Sequence, residues 1–314
     1  MIAYVIALWK MKVILVINFH KYGFLDVKHL KRIIDDYNFW LCELDPIYLF
    51  IWSDLYKPEI CFNNDFCFIR LLIPEVGICY YPPIGNGNLK MALFDIKEDA
   101  WENGIDFKIV GIDDKLKRNF NFVTTPNPLY SNYIYLSDSL ALFNNKGLKP
   151  FFLKYNKFMK ENKNVFFKLS KKEDFTRILE FISIWQNEDI NRSKDPYFYP
   201  SLNMLKKVME HLYELELECL IIQNENGEIY SISIFHSNNN VGYVHFFLCL
   251  NKPGLLEVTI SQTAKVISKS SRYINLECHL GNLDKEKLYN DLKPLKLEEY
   301  YTNLGGNISE EKEE

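Results

Sequence analysis

Three residues in the second half of the chain have the types and spacing of proton-transfer chemistry. Glu277 and His279 stand two positions apart, so on one strand or its exit they face the same side and could form a carboxylate–imidazole pair. His245 lies in an aromatic run, where a neutral imidazole could accept a proton from an attacking amine. We predict Glu277 or His245 as general base and His279 as orienting partner or acid. The alternatives are a hydrogen-bonded core histidine at 245 and a surface ion pair at 277 and 279.

Two glycine-containing segments could contact a phosphate. Gly85, Gly87 and Asn88 precede a predicted helix, and the first N–H groups of a helix attract anions together with its dipole. Lys252 and Gly254 occupy the corresponding place in the second half, where the lysine could add charge. These five residues are the predicted contacts for a carrier or cofactor. The alternative is a tight loop, with Asn88 acting only as a helix cap.

The cysteines and acidic pairs predict no metal site. The seven cysteines include no Cys-x-x-Cys pair, most lie in apolar runs, and their number is odd. Free thiols of this kind are typical of a reducing cytosol. Asp113-Asp114 and Glu310-Glu311 lack the spacing of a calcium loop.

The elements that must position these residues are predicted twice in one order: strand, helix, helix, three-stranded meander, helix, strand, helix. In the first half they lie at 13–17, 26–37, 46–55, 59–62 with 66–72 and 76–81, 88–103, 107–110 and 114–119. In the second half they lie at 165–169, 171–186, 200–215, 218–223 with 228–236 and 241–250, 254–268, 273–277 and 284–290, followed by a last strand at 295–301. Asp26 and Asn88 are the expected caps of two helices, and Gly104 ends the second of these.

A linking segment separates the two halves. It contains a predicted strand at 133–136, a short helix capped by Ser137 or Asp138, and a longer helix at 146–163. The longer helix carries Lys149, Lys157 and Lys160 on roughly one face beside aromatic residues. Such a face could meet an anionic lipid surface or nucleic acid, and the alternative is the solvated side of an amphipathic helix.

The composition excludes several protein classes. The 314 residues are 48% hydrophobic, 15% aromatic and 25% charged, with a net charge of -4, so disorder, collagen and coiled coil do not apply. This balance creates no general attraction for nucleic acid. In the apolar N-terminal segment, Lys10 and Lys12 interrupt the run too early for a membrane span and stand on the wrong side for a secretory signal. Met11 is an alternative translation start.

The order of elements resembles the N-acetyltransferase (GNAT) fold, in which a helix after the third meander strand receives the pyrophosphate of an acyl-CoA. Four stretches make the resemblance more specific: Leu49-Phe50-Ile51-Trp52, Tyr81-Pro82 with Gly85-Asn86-Gly87-Asn88, Tyr133-Ile134-Tyr135 with Asp138, and Tyr273-Ile274-Asn275-Leu276-Glu277 to Gly281. In this order they resemble the phosphatidylglycerol lysyltransferase C-terminal domain family, including stand-alone bacterial members of unknown function. The resemblance implies an α+β tandem duplicated GNAT fold with mixed sheets, and transfer of an aminoacyl group from aminoacyl-tRNA to a lipid headgroup.

The chain departs from the family pattern at basic positions. A Lys-Arg-Asn run of the family corresponds here to Phe151, Phe152 and Leu153. The His-x-Glu-Lys run keeps only His245, and the Gly-Leu-Arg that normally follows Gly281 is replaced. Binding of a tRNA backbone depends on several Lys or Arg contacts, so these losses weaken the case for tRNA.

The sequence therefore predicts four regions: a first GNAT-like repeat at 1–125, a linking strand and helix at 126–164, a second repeat at 165–304 and a disordered acidic tail at 305–314. The predicted function is transfer of an acyl or aminoacyl group from aminoacyl-tRNA or acyl-CoA to an amine, hydroxyl or lipid-headgroup acceptor. The alternative is a catalytically degenerate ligand-binding protein of the same fold. We expect a cytoplasmic protein without stable membrane insertion, with peripheral membrane contact through the 149–163 helix as a further alternative.

Overall fold

The computed structural model describes residues 17–34, 37, 39–63, 65–74, 76–120, 122–188, 198–238 and 240–305. Of the predicted elements, the first strand lies almost entirely outside these residues, and so do most of the acidic tail and the apolar N-terminal segment. None of the described helices is both long and apolar enough to cross a bilayer.

The described residues form fifteen strands and ten α-helices. The strands are β1 His20–Lys21, β2 Glu59–Phe62, β3 Phe66–Ile73, β4 Gly77–Tyr80, β5 Ile84–Gly85, β6 Ile109–Ile112, β7 Thr125–Pro126, β8 Asn132–Leu136, β9 Val165–Leu169, β10 Glu218–Asn224, β11 Ile229–Asn238, β12 Val241–Cys249, β13 Tyr273–Asn275, β14 Lys296–Glu298 and β15 Tyr301–Asn303. The helices are α1 Phe24–Ile34, α2 Pro46–Ile51, α3 Ser53–Tyr56, α4 Leu89–Glu102, α5 Ser137–Leu142, α6 Lys149–Glu161, α7 Phe175–Glu188, α8 Phe198–Glu210, α9 Leu255–Ile267 and α10 Leu283–Asp291.

Two mixed sheets confirm the predicted α+β class. The first has the order β1-β2-β3-β4-β6-β15-β7, with β5 also paired to β3, and the second has the order β14-β8-β13-β12-β11-β10-β9. In each sheet an antiparallel meander is followed by one parallel neighbour, β6 beside β4 and β13 beside β12. A parallel neighbour requires a crossover, which α4 and α9 provide.

Two strands pair in places that the sequence did not predict. The linking-segment strand β8 lies inside the second sheet, between β13 and β14. The prediction of one continuous last strand is wrong, because β14 pairs in the second sheet and β15 in the first. The change of sheet occurs at Glu299 and Tyr300, where the Tyr300 side chain enters the core. The four predicted regions of the chain stay a prediction.

Helix starts depend on details that the sequence showed only in part. Asn88 caps α4 as predicted, because its side chain accepts a hydrogen bond from the Met91 N–H. The cap prediction at Asp26 is wrong: α1 begins at Phe24, and Asp26 in its first turn accepts from the Gly23 N–H. The cap prediction at Ser137 or Asp138 is also wrong, because α5 follows β8 directly and Ser137 Oγ donates to the Ser271 carbonyl instead.

The predicted helix at 46–55 divides at Trp52, whose backbone is not helical in ψ. Its first part, α2, is capped by Asp45, whose Oδ1 accepts from the N–H groups of Ile47 and Tyr48. Every side chain of α2 is buried. The cluster that buries α2 also contains residues of α1, β3, β10, β11 and β12. The segment around Asp45 therefore lies in the core and contacts both halves of the chain.

Candidate active site

The site lies where the parallel strands β12 and β13 part. Their pairing joins Val241 to Tyr273, Gly242 to Ile274 and Tyr243 to Asn275, and it ends there. His245 and Glu277 each lie two residues beyond the last pair, where the two strands diverge. The gap between the strands leaves room for their side chains to meet.

A β-bulge directs His245 to this place. On one side of the bulge Ile234 pairs with Phe246, and on the other Phe235 pairs with Val244, so His245 is the extra residue of β12. A bulge moves the side chains beyond it from one face of the sheet to the other. Tyr243 pairs with His236 of β11, and His245 lies two positions after Tyr243, so His245 shares a face with His236. The two imidazole rings are nearly parallel, with an interplanar angle of 11° and centres 5.0 Å apart, and meet through their ring nitrogens.

Glu277 has an uncommon backbone conformation, with φ of 65°. This left-handed region costs energy for a residue with a side chain and persists where neighbouring contacts impose it. Here the Glu277 N–H donates to Asn275 Oδ1 at 2.6 Å, and Asn275 Nδ2 donates to Asn132 Oδ1 at 2.7 Å. The chain thus turns out of β13 and aims the Glu277 carboxylate at His245.

Four side chains form a continuous hydrogen-bonded chain through the core. Asp45 Oδ2 lies 3.1 Å from His236 Nε2, and His236 Nδ1 lies 2.9 Å from His245 Nε2. His245 Nδ1 lies 2.6 Å from Glu277 Oε1. Exposed fractions of the side chains are 2% for Asp45, 4% for His236, 1% for His245 and 10% for Glu277. Glu277 is therefore the outer end of the chain and Asp45 the inner end.

The charges of the inner pair set the positions of the protons. Burial lowers the pKa of His236, so that ring is neutral. Burial alone would raise the pKa of Asp45, but the hydrogen bonds from His236 and from the Tyr48 N–H hold it below its usual value. His236 therefore donates from Nε2 to the Asp45 carboxylate and accepts at Nδ1, which requires a hydrogen on His245 Nε2.

This arrangement can accept a proton from a substrate. Glu277 Oε1 is hydrogen-bonded to His245, so Oε2 is the oxygen that can face a bound molecule. Both ring nitrogens of His245 are bonded within the chain, so His245 acts through Glu277 rather than by direct contact. A carboxylate supported in this way is a competent general base for an amine or a hydroxyl.

The structure brings together His245 and Glu277 but leaves His279 apart. The expected Glu277–His279 pair assumed a strand, whereas the chain has left-handed residues at Glu277 and Leu280. His279 Nδ1 instead accepts from the Gly281 N–H at 3.1 Å, and its ring contacts the Tyr133 ring edge-on. A catalytic role for His279 stays a prediction.

Close packing accounts for the glycines before α4. A Cβ atom at Gly85 would lie 1.9 Å from the Asp65 carbonyl oxygen, and one at Gly87 would lie 2.6 Å from the Phe66 ring. Any larger residue would push the loop away from the start of β3. A contact of Gly85, Gly87 or Asn88 with a carrier stays a prediction.

Helix α6 covers the start of α9, where Lys252 and Gly254 lie. Gly254 has φ of 86°, and a Cβ atom there would lie 2.6 Å from the Lys154 carbonyl oxygen. The first turn of α9 holds the buried Glu257 carboxylate, paired at 2.9 Å with Lys154 Nζ. Lys252 Nζ lies 4.4 Å from the centre of the Tyr230 ring. The anion-attracting helix end is thus occupied by groups of the chain itself.

Helix α6 also presents the predicted basic face. Phe151 and Phe158 are buried, whereas Phe152 and Leu153 are 43% and 57% exposed beside exposed lysines of the same helix. A membrane or nucleic-acid contact of this face stays a prediction.

The sequence interpretation missed Asp45 and His236. Asp45 has a readable signal, since Asp before Pro and an apolar run predicts a helix cap. His236 has none, because a histidine ending a meander strand is common. No group of three His, Cys, Asp or Glu side chains in the described part of the chain could hold a metal ion.

Comparison with known proteins identifies a family that the chain matches. The family model described as "Phosphatidylglycerol lysyltransferase, C-terminal" matches residues 42–282. No curated protein matches the sequence significantly.

Several solved structures share the fold. A conserved protein of unknown function from Bacteroides thetaiotaomicron VPI-5482 superimposes with a TM-score of 0.84 at 21% identity, covering 91% of this chain and 98% of that chain. L-PGS from Bacillus licheniformis superimposes with a TM-score of 0.57 at 12% identity, covering 88% and 90%. The C-terminal domain of a candidate lysylphosphatidylglycerol synthetase from Agrobacterium fabrum gives 0.60 at 10% identity, also covering 88% and 90%. These similarities establish the fold alone and confirm the predicted tandem GNAT-like architecture.

Proposed function

Because the chain belongs to the phosphatidylglycerol lysyltransferase C-terminal family, we propose that it transfers an aminoacyl group from aminoacyl-tRNA to an amine or hydroxyl acceptor, with Glu277 as the proton acceptor. The observation that carries this proposal is the 2.6 Å contact between Glu277 Oε1 and His245 Nδ1 at the point where β12 and β13 part. The acceptor classes include the headgroup of phosphatidylglycerol, as the family description indicates.

The reaction needs one proton to be moved twice. The nitrogen or oxygen of the acceptor attacks the carbonyl carbon of the aminoacyl ester, and its proton passes to Glu277 Oε2. The bond from that carbon to the ribose oxygen then breaks, and the same proton returns to the leaving oxygen. Before this transfer the contact with His245 stabilises the carboxylate form of Glu277, and His236 and Asp45 hold His245 in one orientation.

The covered start of α9 supports aminoacyl-tRNA over acyl-CoA as donor. An acyl-CoA bound in the GNAT manner would place its pyrophosphate against the first turn of this helix. In this chain that turn carries Glu257 and contacts α6, so a second anion would meet a buried carboxylate.

A transfer assay tests the proposal. The protein is incubated with tRNA charged with radioactive amino acids and with acceptors that include phosphatidylglycerol vesicles and soluble amines. We expect transfer by the wild type and a loss of about 100-fold or more in Glu277→Gln, because general base catalysis contributes that much. The exposed Glu102 gives a matched control, and Glu102→Gln should transfer normally.

A catalytically silent ligand-binding protein is the second candidate function. It is favoured by Phe151, Phe152 and Leu153 at positions where the family carries a basic run, since Phe151 is buried against Phe143 and offers no contact to a phosphate. Binding of charged tRNA without transfer to any acceptor would favour this candidate and contradict the first.

A further inference from the structure

Three buried polar atoms in one part of the core have no hydrogen-bond partner among the described residues. They are Glu43 Oε1, Tyr56 OH and Tyr300 OH, in side chains of residues that are 1%, 2% and 1% exposed. Each unpaired buried polar group costs on the order of 1–3 kcal/mol. Three such atoms in one region indicate a site where a bound molecule would complete the hydrogen bonds.

The three groups lie in one part of the core, because Asn132 Nδ2 donates to both Glu43 Oε2 and the Tyr130 carbonyl, and Tyr56, Tyr130 and Tyr300 belong to one core cluster. Burial is the main cause of the raised pKa of Tyr56 and of Tyr300, and the charge of Glu43 contributes to both. Tyr56 also contributes to the raised pKa of Tyr300. The rings of Tyr130 and Tyr300 lie 5.2 Å apart and add aromatic surface to the same region.

A second hydrogen-bonded path joins this region to the candidate active site. Glu43 Oε2 accepts from Asn132 Nδ2 at 2.9 Å, and Asn132 Oδ1 accepts from Asn275 Nδ2 at 2.7 Å. Asn275 Oδ1 in turn accepts from the Glu277 N–H. Glu43 also stands two residues before Asp45, so one short segment supplies both groups. The region therefore adjoins the site of proton transfer.

The chemistry of the region selects a cation that donates hydrogen bonds. In the described residues no Lys, Arg or His forms an ion pair or a hydrogen bond with Glu43. An anion would be repelled by the carboxylate, and an apolar guest would leave the three oxygens unpaired. A primary ammonium group has three N–H donors for three oxygens, and aromatic faces stabilise its charge.

We propose that Glu43, Tyr56 and Tyr300 form a subsite for a primary ammonium group. The subsite can bind without any transfer reaction. The source of the bound ammonium group rests on the proposed function. It is the amino group of the donor's aminoacyl moiety or that of an amine acceptor.

Proton release provides a signature of this subsite. Burial raises the pKa of Glu43 to about 7, so the empty carboxyl group holds a proton in part of the molecules at neutral pH. A bound ammonium favours the ionised form, and binding near pH 7 therefore releases a proton. The other titratable groups facing Glu43 remain uncharged there, since burial raises their pKa values; they are Cys42, Tyr48, Tyr81, Tyr243 and Cys278, besides Tyr56 and Tyr300.

Calorimetric titration of the full chain tests the proposal with three probes. L-alanine methyl ester represents the donor's aminoacyl group, ethanolamine represents an amine acceptor, and methyl L-lactate carries a hydroxyl in place of the ammonium. We expect one or both amines to bind at least tenfold more tightly than methyl L-lactate, and the amine that binds identifies the source. In buffers of different ionisation enthalpy, the measured heat should report proton release.

Variants then locate the binding. Glu43→Gln should weaken amine binding at least tenfold and abolish proton release, and Glu102→Gln should change neither. Tyr56→Phe and Tyr300→Phe remove only unpaired hydroxyls, so they fold and test the subsite even if Glu43→Gln does not. Equal affinity for methyl L-lactate and the amines would overturn the proposal. So would unchanged amine binding in these three variants, or a crystal soaked in ethanolamine with only water at Glu43. Absence of transfer with amine binding intact would contradict the proposed function alone.

Discussion

His236 Nδ1 lies 2.9 Å from His245 Nε2, and this contact joins a carboxylate of the first half of the chain to one of the second. Without it Asp45 and Glu277 would belong to separate networks. Because neutral His236 can accept only at Nδ1 once Nε2 donates to Asp45, the contact fixes the hydrogen of His245 on Nε2. The contact between His236 and His245 therefore leaves Nδ1 as the nitrogen of His245 that faces Glu277.

Substitution of Asp45 should separate its two roles. Asp45→Asn keeps an oxygen for capping α2 but removes the charge that orients His236, whereas Asp45→Ala removes both. We expect transfer to fall by about 10-fold or more in both variants, and the free energy of unfolding to fall by about 1 kcal/mol more in Asp45→Ala. Urea unfolding measures the difference. Equal stability of the two variants together with normal transfer in Asp45→Asn would contradict both roles.

Glu43 makes the stability of the protein depend on pH. Its pKa in the folded state is raised from 4.5 to about 7, so its own contribution to stability is greatest below pH 4.5 and is lost as pH rises through 7. Glu43→Gln lacks this ionisation. We expect the variant to gain on the order of 3 kcal/mol relative to wild type between pH 4.5 and pH 8, judged from the pKa shift. Urea unfolding of both proteins across this range measures it, and a constant difference would exclude the raised pKa.

Gly254 should be intolerant of a side chain. Gly254→Ala combines a left-handed backbone with a Cβ atom 2.6 Å from the Lys154 carbonyl oxygen, so we expect a loss of roughly 2–4 kcal/mol in the free energy of unfolding. Gly305→Ala is the matched control, because Gly305 also has positive φ but no atom within 4 Å of its Cβ position. Similar losses in the two variants would show that α6 does not press against α9.

The exposed face of α6 predicts binding to anionic vesicles at low salt. Phe152 and Leu153 can enter the lipid interface while Lys149, Lys157 and Lys160 meet the headgroups. We expect co-sedimentation with phosphatidylglycerol vesicles that weakens several-fold in Phe152→Ser combined with Leu153→Ser. Vesicles of phosphatidylcholine serve as the neutral control. Equal sedimentation with both lipids, or none with either, would leave this face as the solvated side of the helix.

Much of the fold was predictable because local signals determine it. The bounds of β2 and β9 agree with the prediction, and the Asn88 cap was found because a side-chain oxygen before an apolar run is a short-range signal. The last predicted strand failed because residues 295–301 contain no Gly or Pro to signal a break, while the change of sheet depends on which partner strand is free.

The candidate site was predictable only in its parts. Residue type and strand position identified His245 and Glu277, but their pairing depends on the bulge in β12 and on the left-handed turn at Glu277. The expected partner, His279, was chosen because it is near in sequence, and the chain turns away from it. Asp45 stands 191 positions from His236, beyond the reach of any pattern.

The sequence by itself determined the order of strands and helices, the α+β class and the family resemblance, because periodicity, caps and turns act over a few residues. Tertiary structure alone decided that Asp45, His236, His245 and Glu277 form one chain and that Glu43 stays without a cation beside it. These contacts join segments that are distant in sequence, and they arise only when α2 and the second sheet are packed in one core.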